Sequence, residues 1–285
     1  MSRYKELAAT YARFLHEGKS YPLGDVKPLP RPDLAGDAPK ALIFSPHPDD
    51  ECIIGALPLR LMREARMNVV NVAVTQGSKK ERQAERFQEL KNACWFLGFG
   101  LLAIGPAGLE RIDAETRQND RGHWNGCVNT IAEILTVNRP RVVFYPHDQD
   151  WNSTHIGTHF LLMDALKTMP IGFECHVIET EFWGQMTTPN LMVESSVDEA
   201  ADLMAATSFH VGEVKRNPYH LLLPAWMQDN VRRGSELVGG QGGTAPDFTF
   251  ATLYRLRKWT RRRLEKVWDG GRFLAHNLNP GGLSA

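Results

Sequence analysis

Several things are missing from this chain, and each absence removes a class of function. Neither sign of charge is in excess: 33 Lys and Arg balance 33 Asp and Glu. A basic footprint for nucleic acid is therefore lacking, and no nucleic-acid partner is expected. Long apolar runs are also missing, since no stretch approaches the roughly 18 residues of a spanning helix. Cysteine is sparse. Cys52, Cys94, Cys127 and Cys175 are widely spaced, without a CxxC pair, so they read as reduced thiols rather than a disulfide framework or thiolate metal site. Neither G-x-G-x-x-G nor a Walker A loop occurs, which argues against a nucleotide cofactor. The first residues, "MSRYKELAATYARFLHEGKSY", are charged throughout and lack the apolar segment of a secretory leader. A cytoplasmic location is the resulting expectation.

What is present is a regular alternation. With 42% hydrophobic residues over 285 positions, a substantial core can be buried. Residues 1–20 read as a helix, and 21–40, with five prolines and two glycines, as an extended arm. "ALIFSP" is a short strand ended by Pro46. A helical stripe follows over 51–66, with Pro58 marking a kink or a late start. Residues 68–77 are a β-branched strand, and 79–100 an amphipathic helix with a glycine stop. "LLAIG" (101–105) is a third strand, and 106–125 a long polar loop. A helix over 126–138, a strand at 141–147, a helix over 155–168 and a strand at 175–183 complete the pattern. Strands alternating with helices predict an α/β, Rossmann-like fold, with a mostly parallel sheet flanked by helices and an irregular C-terminal region. The expected division is residues 1–40 as helix and arm, and 41–285 as one domain.

Two polar knots stand where ligands bind in such sheets, just beyond strand carboxyl ends. "SPHPDDECIIG" (45–55) follows the first strand, and "PHDQDWNSTHIGTH" (146–159) the fourth. His47 and Asp50, three apart, can point the same way around a turn, and imidazole and carboxylate are good zinc ligands. Asp49 between them can serve as a base that is not a ligand. Acids at a helix N-terminus are also favoured simply by the helix dipole, and Asp49 or Asp50 with Glu51 could instead form a glycosidase carboxylate pair. The second knot offers His147, Asp148, Asp150, His155 and His159. One of its histidines would complete a His–Asp–His site with an open position, and His155 and His159 can share one helical face.

"PHPDDE" after a strand resembles the signature of the PIG-L/LmbE-like zinc-dependent de-N-acetylases. That family includes the N-acetylglucosaminyl-phosphatidylinositol, mycothiol and bacillithiol deacetylases. "TQGSKKERQAERFQELKNACWFLG" and "RPRVVFYPHDQDWNSTH" resemble the family's later motifs in the expected order. The likeness extends over about residues 41–165. It implies His47, Asp50 and His155 as ligands to zinc or another divalent metal, Asp49 as general base, and Arg86 as a substrate contact. It also implies an N-acetyl amino-sugar substrate and a homo-oligomer. One departure is Asn152, where the family often has a histidine. Asn152 can donate to an oxyanion but cannot shuttle a proton. Asp49 then makes both transfers, or His147 or another histidine supplies the acid; a non-catalytic metal- or sugar-binding member of the family is the alternative.

The C-terminal third is less patterned. "LYRLRKWTRRRLEKVW" (253–268) reads as an amphipathic basic helix, which either packs its tryptophans on the domain or meets a membrane surface. "GGQGGTAPD" (239–247) reads as a flexible loop. His123, His210 and His220 have no assigned role.

Overall fold

A computed structural model describes residues 2–105 and 107–284. Its N-terminal part runs α1 (Arg3–Gly18), β1 (Lys40–Ser45), α2 (Asp50–Ile53), α3 (Leu57–Arg63), β2 (Asn68–Ala73), α4 (Gln83–Leu97) and β3 (Gly100–Ala103). Next come α5 (Ala114–Asn119), α6 (Arg121–Asn138), β4 (Val142–Pro146), α7 (Ser153–Thr168) and β5 (Cys175–Thr180). The chain finishes with β6 (Leu191–Ser195), α8 (Val197–Ser208), α9 (Val211–Arg216), α10 (Leu223–Leu237), β7 (Phe250–Thr260), β8 (Arg263–Lys266) and β9 (Arg272–Leu274).

Among the described residues nine strands form one sheet in the order β3-β2-β1-β4-β5-β7-β6-β9, with β8 on β7. The first five are parallel, while β7 runs antiparallel to its neighbours. The pleat explains the two cores. Ala41 and Ile43 of β1, with Val142 and Phe144 of β4, face one cluster, packed by α2, α3, α4, α8 and α10. Leu42 and Phe44, with Val143 and Tyr145, face the other, packed by α6 and α7. Successive side chains on a strand point to opposite faces, so continuous apolar strands covered on both sides are what a buried parallel sheet requires. Strand order reverses between β1 and β4. The crevice at that reversal is where doubly wound folds bind ligands.

Several expectations change. Pro58 marks a late start, as one of the two readings had it. The predicted 51–66 helix divides into α2 and α3 around Gly55, which has φ 87°. A Cβ there would collide with Thr252 and Tyr254 of β7. The 106–125 loop, in which Pro106 lies outside the described residues, is largely helical. Asp113 caps α5 through the Thr116 amide, and Asp120 caps α6 through that of His123. The C-terminal region is more regular than its sequence suggests, with helices and strands from Leu191 to Leu274.

The basic stretch 253–268 is not a helix but the β7–β8 hairpin. Its apolar residues face both ways: Tyr254 and Leu256 enter one core, Trp259 the other, all nearly fully buried. Arg255 and Arg257 pair with buried Glu179, and Lys258 with Glu174. The segment thus has no apolar face to lay on a membrane, and the contact expected through 253–268 loses its basis. The turn between the strands uses Arg261 and Arg262, both at positive φ. Two-residue hairpin turns usually announce themselves by Asn-Gly or Asp-Gly, a signal absent here. No helix among the described residues is long and apolar enough to cross a membrane.

At Gly55 the helical layer meets β7 beneath the first knot with no room for a side chain. Gly55→Ala is expected to lower unfolding stability by about 2–4 kcal/mol, through strain and overpacking. Urea denaturation measures it, and an unchanged midpoint would contradict the packing described.

Candidate active site

The first knot is a turn under strain. Asp49 is a non-glycine residue at φ 112°, outside the regions open to L-residues at little cost. Four neighbours hold it there. Glu51 Oε2 accepts the Asp49 amide at 3.0 Å, and Tyr219 donates its hydroxyl to Asp49 Oδ2 at 2.5 Å. Thr75 donates through its hydroxyl and amide to the Pro46 carbonyl, and Arg86 Nη2 donates to that of Pro48. Glu51 is anchored in turn by buried His210, whose Nε2 lies 2.7 Å from Glu51 Oε1.

That turn brings His47 and Asp50 against His155, which enters from the first turn of α7. His47 Nδ1 and His155 Nε2 are 3.1 Å apart; Asp50 Oδ2 is 3.3 Å from the latter and 3.7 Å from the former. Donors around a tetrahedral ion at about 2.0–2.1 Å sit roughly 3.3 Å apart. Two nitrogens and a carboxylate oxygen facing each other at these separations fit a divalent cation. Asp50 Oδ1 is buried, with no hydrogen-bond partner among the described residues. Behind His155, Asp150 Oδ2 lies 3.4 Å from Nδ1, the carboxylate support that metal-binding histidines commonly have. Asp150 is fixed by the amides of Asn152, Trp183 and Gly184.

Charge in this cluster is finely set. Burial and the neighbouring Asp50 charge push the Asp49 carboxyl up to about 7. Burial also works against Asp50, but His155 and His47 outweigh it and hold Asp50 ionised, well below the usual carboxylate range. For His155 burial opposes the charge, yet Asp50 and Asp150 raise it to about 10. Burial lowers His47.

The other expected residues divide. Asn152 caps α7, its Oδ1 accepting the Thr154 amide at 2.9 Å, so its amide nitrogen is the donor it can offer a ligand. It lines the cleft together with His47. The cleft has two connected parts, one of about 460 Å³ with Asp49, Arg86 and Glu213 in its wall and one of about 650 Å³ reaching Gly77, Lys80 and Arg111. Arg86 both lines the cleft and braces the turn, its Nη2 3.8 Å from Asp49 Oδ1. His147 is not brought to the site. Its ring is fully buried, with Nε2 on the Gly184 carbonyl and Nδ1 accepting the Gln149 amide, so the main chain occupies both nitrogens. His159, one turn beyond His155, contacts the Pro146 carbonyl instead of joining the trio. Tyr219 is not marked in the sequence, and His210 has no assigned role there, because both come from the C-terminal third. There "NPYH" and a lone histidine carry no spacing that marks them.

Both knots fall inside residues 42–166, which match the sequence model for PIG-L, GlcNAc-PI de-N-acetylase. This segment is similar to the PIG-L family. Solved structures extend the PIG-L likeness to the fold. N,N'-diacetylchitobiose deacetylase from Pyrococcus horikoshii is similar at 16% identity, over 90% of this chain and 93% of that one, with TM-score 0.55. The conserved protein TT1542 from Thermus thermophilus is 20% identical over 75% and 93%, with TM-score 0.54. GalB, the 4-carboxy-2-hydroxymuconate hydratase from Pseudomonas putida, is 15% identical over 76% and 95%, with TM-score 0.56. A hydratase among the fold relatives means that the fold by itself does not select the reaction. No curated protein matches the chain in sequence.

The Glu51–His210 pair under the turn gives two measurable effects. Glu51→Gln strips a buried ion pair of one partner and should cost about 3–5 kcal/mol. Burial lowers the proton affinity of His210, but Glu51 outweighs it and raises the folded value above 6.5. Its stabilisation is therefore complete below the unfolded pKa of about 6.5 and fades as pH rises through the folded value. The stability gap between the parent and His210→Gln, followed by urea unfolding, should narrow with rising pH. A gap constant from pH 5 to 9 would contradict the pairing.

Proposed function

We propose that this protein hydrolyses the N-acetyl group of an amino sugar or amino-sugar conjugate. The observation that carries the reading is the convergence of His47, Asp50 and His155 beside Asp49 and Asn152, at one cleft, inside the PIG-L segment. His47, Asp50 and His155 would hold the divalent ion, with zinc the metal their nitrogen and carboxylate donors suit. When bound it supplies Lewis acidity toward a water and an amide carbonyl.

This chain's residues provide the remaining chemistry. Asp49 takes a proton from a water in the cleft as the water oxygen adds to the amide carbonyl carbon. Its carboxyl, pushed up to about 7 by burial and Asp50, is matched to proton transfer near neutral pH. The Tyr219 hydroxyl on Oδ2 fixes the carboxyl plane and leaves Oδ1 for the exchange. Asn152 offers its amide N–H to the oxygen on which negative charge develops. As the C–N bond breaks, Asp49 returns the proton to the departing nitrogen. The carboxylic acid and the free amine leave. Because the main chain occupies both nitrogens of His147, the acid and base roles both fall to Asp49. The site draws on Asp49 and on Tyr219, 170 residues later. That supports treating 41–285 as one domain with 1–40 as an appended helix and arm.

Acetate and amine release from a panel of N-acetylglucosamine conjugates tests the reading. Turnover is expected, lost on chelation and restored by zinc; no release from any conjugate by zinc-loaded protein would contradict it. Asp49→Asn should lower kcat by about 10²- to 10⁴-fold while metal content, measured by mass spectrometry, stays unchanged. Undiminished turnover in that variant would remove Asp49 as the base.

A further inference from the structure

A chamber of different character adjoins the cleft. It holds about 310 Å³, and Ile53, Phe182, Trp183, Leu223 and Trp226 build its wall. Trp151, Trp183 and Asn217 belong both to this wall and to that of the 460 Å³ part of the cleft. Its lining also touches the reacting groups. Phe182 packs edge-on against His155, with ring centroids 5.3 Å apart. Tyr219, which also lines the chamber, donates to Asp49 and meets the Trp183 ring edge-on.

Two features set this chamber apart from ordinary core packing. Trp151 is 78% exposed and Trp183 36% exposed, large rings held at a mouth rather than inside. A volume of 310 Å³ corresponds to about ten waters at about 30 Å³ each. An acetyl methyl would leave most of that space to water lying against apolar walls. A larger apolar group would displace the water and bury its own surface.

Resting on the amide-hydrolase reading above, we propose that the substrate carries a sizeable apolar group close to the reacting amide, and that this chamber binds it. The group is either an acyl chain longer than acetyl or an apolar aglycone on the sugar. The chemistry recognised is the same in both. The chamber acts on specificity, and the hydrolytic step is unchanged.

Two substrate series on one amino sugar separate the sources. The first lengthens the acyl group from acetyl to octanoyl on a methyl glycoside. The second keeps acetyl and lengthens the aglycone from methyl to octyl. In one series kcat/KM should climb by about fourfold per methylene over the first few carbons, and which series climbs names the source. Trp226→Ala should flatten that climb. The readout is the ratio of long to short substrate, which a general loss of folded enzyme does not move. Turnover of N-acetyl methyl glucosaminide with a flat or falling profile in both series overturns the proposal and leaves the hydrolase reading intact. A climb that Trp226→Ala leaves unaltered also overturns it. Absence of turnover throughout both series removes the hydrolase reading, and the proposal falls with it.

Discussion

Three donor atoms facing one another inside the protein are the constraint on which the rest depends. His47 Nδ1, Asp50 Oδ2 and His155 Nε2 lie 3.1–3.7 Å apart, and Asp50 and His155 are fully buried. An arrangement of this kind needs positive charge at its centre, because a buried carboxylate without compensation is costly. In the protein alone His155 carries that charge, supported by Asp150. A divalent cation would carry it more fully. Much of the surrounding structure serves this placement: the left-handed Asp49, the Glu51–His210 pair beneath it, and the Asn152 cap that starts α7 beside Asp150.

The site was legible where its residues were close in sequence and followed a strand. "PHPDDE" and "STH" sit at the ends of β1 and β4, and strand alternation alone placed both at the carboxyl edge. His47 and Asp50 stood out because three residues of a turn can aim both side chains the same way, whereas His155 was distinguished from His159 only through the family resemblance. Tyr219 could not be named, since its contact with Asp49 spans 170 residues and depends on how α8, α9 and the following turn pack. His147 misled for the opposite reason. Its position beside a motif was visible in the sequence, but the two main-chain partners that consume its ring were not.

The fold shows the same division. The parallel half announced itself through uniformly apolar strands with helices between them. The antiparallel half did not. Strand β7 alternates apolar and basic residues because Arg255 and Arg257 answer a buried Glu179 on the neighbouring strand, and a helical reading of those charges was equally consistent with the sequence. Its hairpin turn is made by two arginines at positive φ, without the glycine or asparagine that marks such turns. This less legible half supplies most of the apolar chamber's wall, through Phe182, Trp183, Tyr219 and the start of α10, whereas the larger part of the cleft is lined by residues between His47 and Thr154.

The proposed metal site is open to direct observation. Crystals grown with zinc and measured on both sides of its absorption edge locate the ion without reference to activity. A single anomalous peak bounded by His47, Asp50 and His155 is the expected result. A peak elsewhere, or none at those three residues with zinc in excess, would contradict the assignment of this cleft as a metal-dependent hydrolytic site.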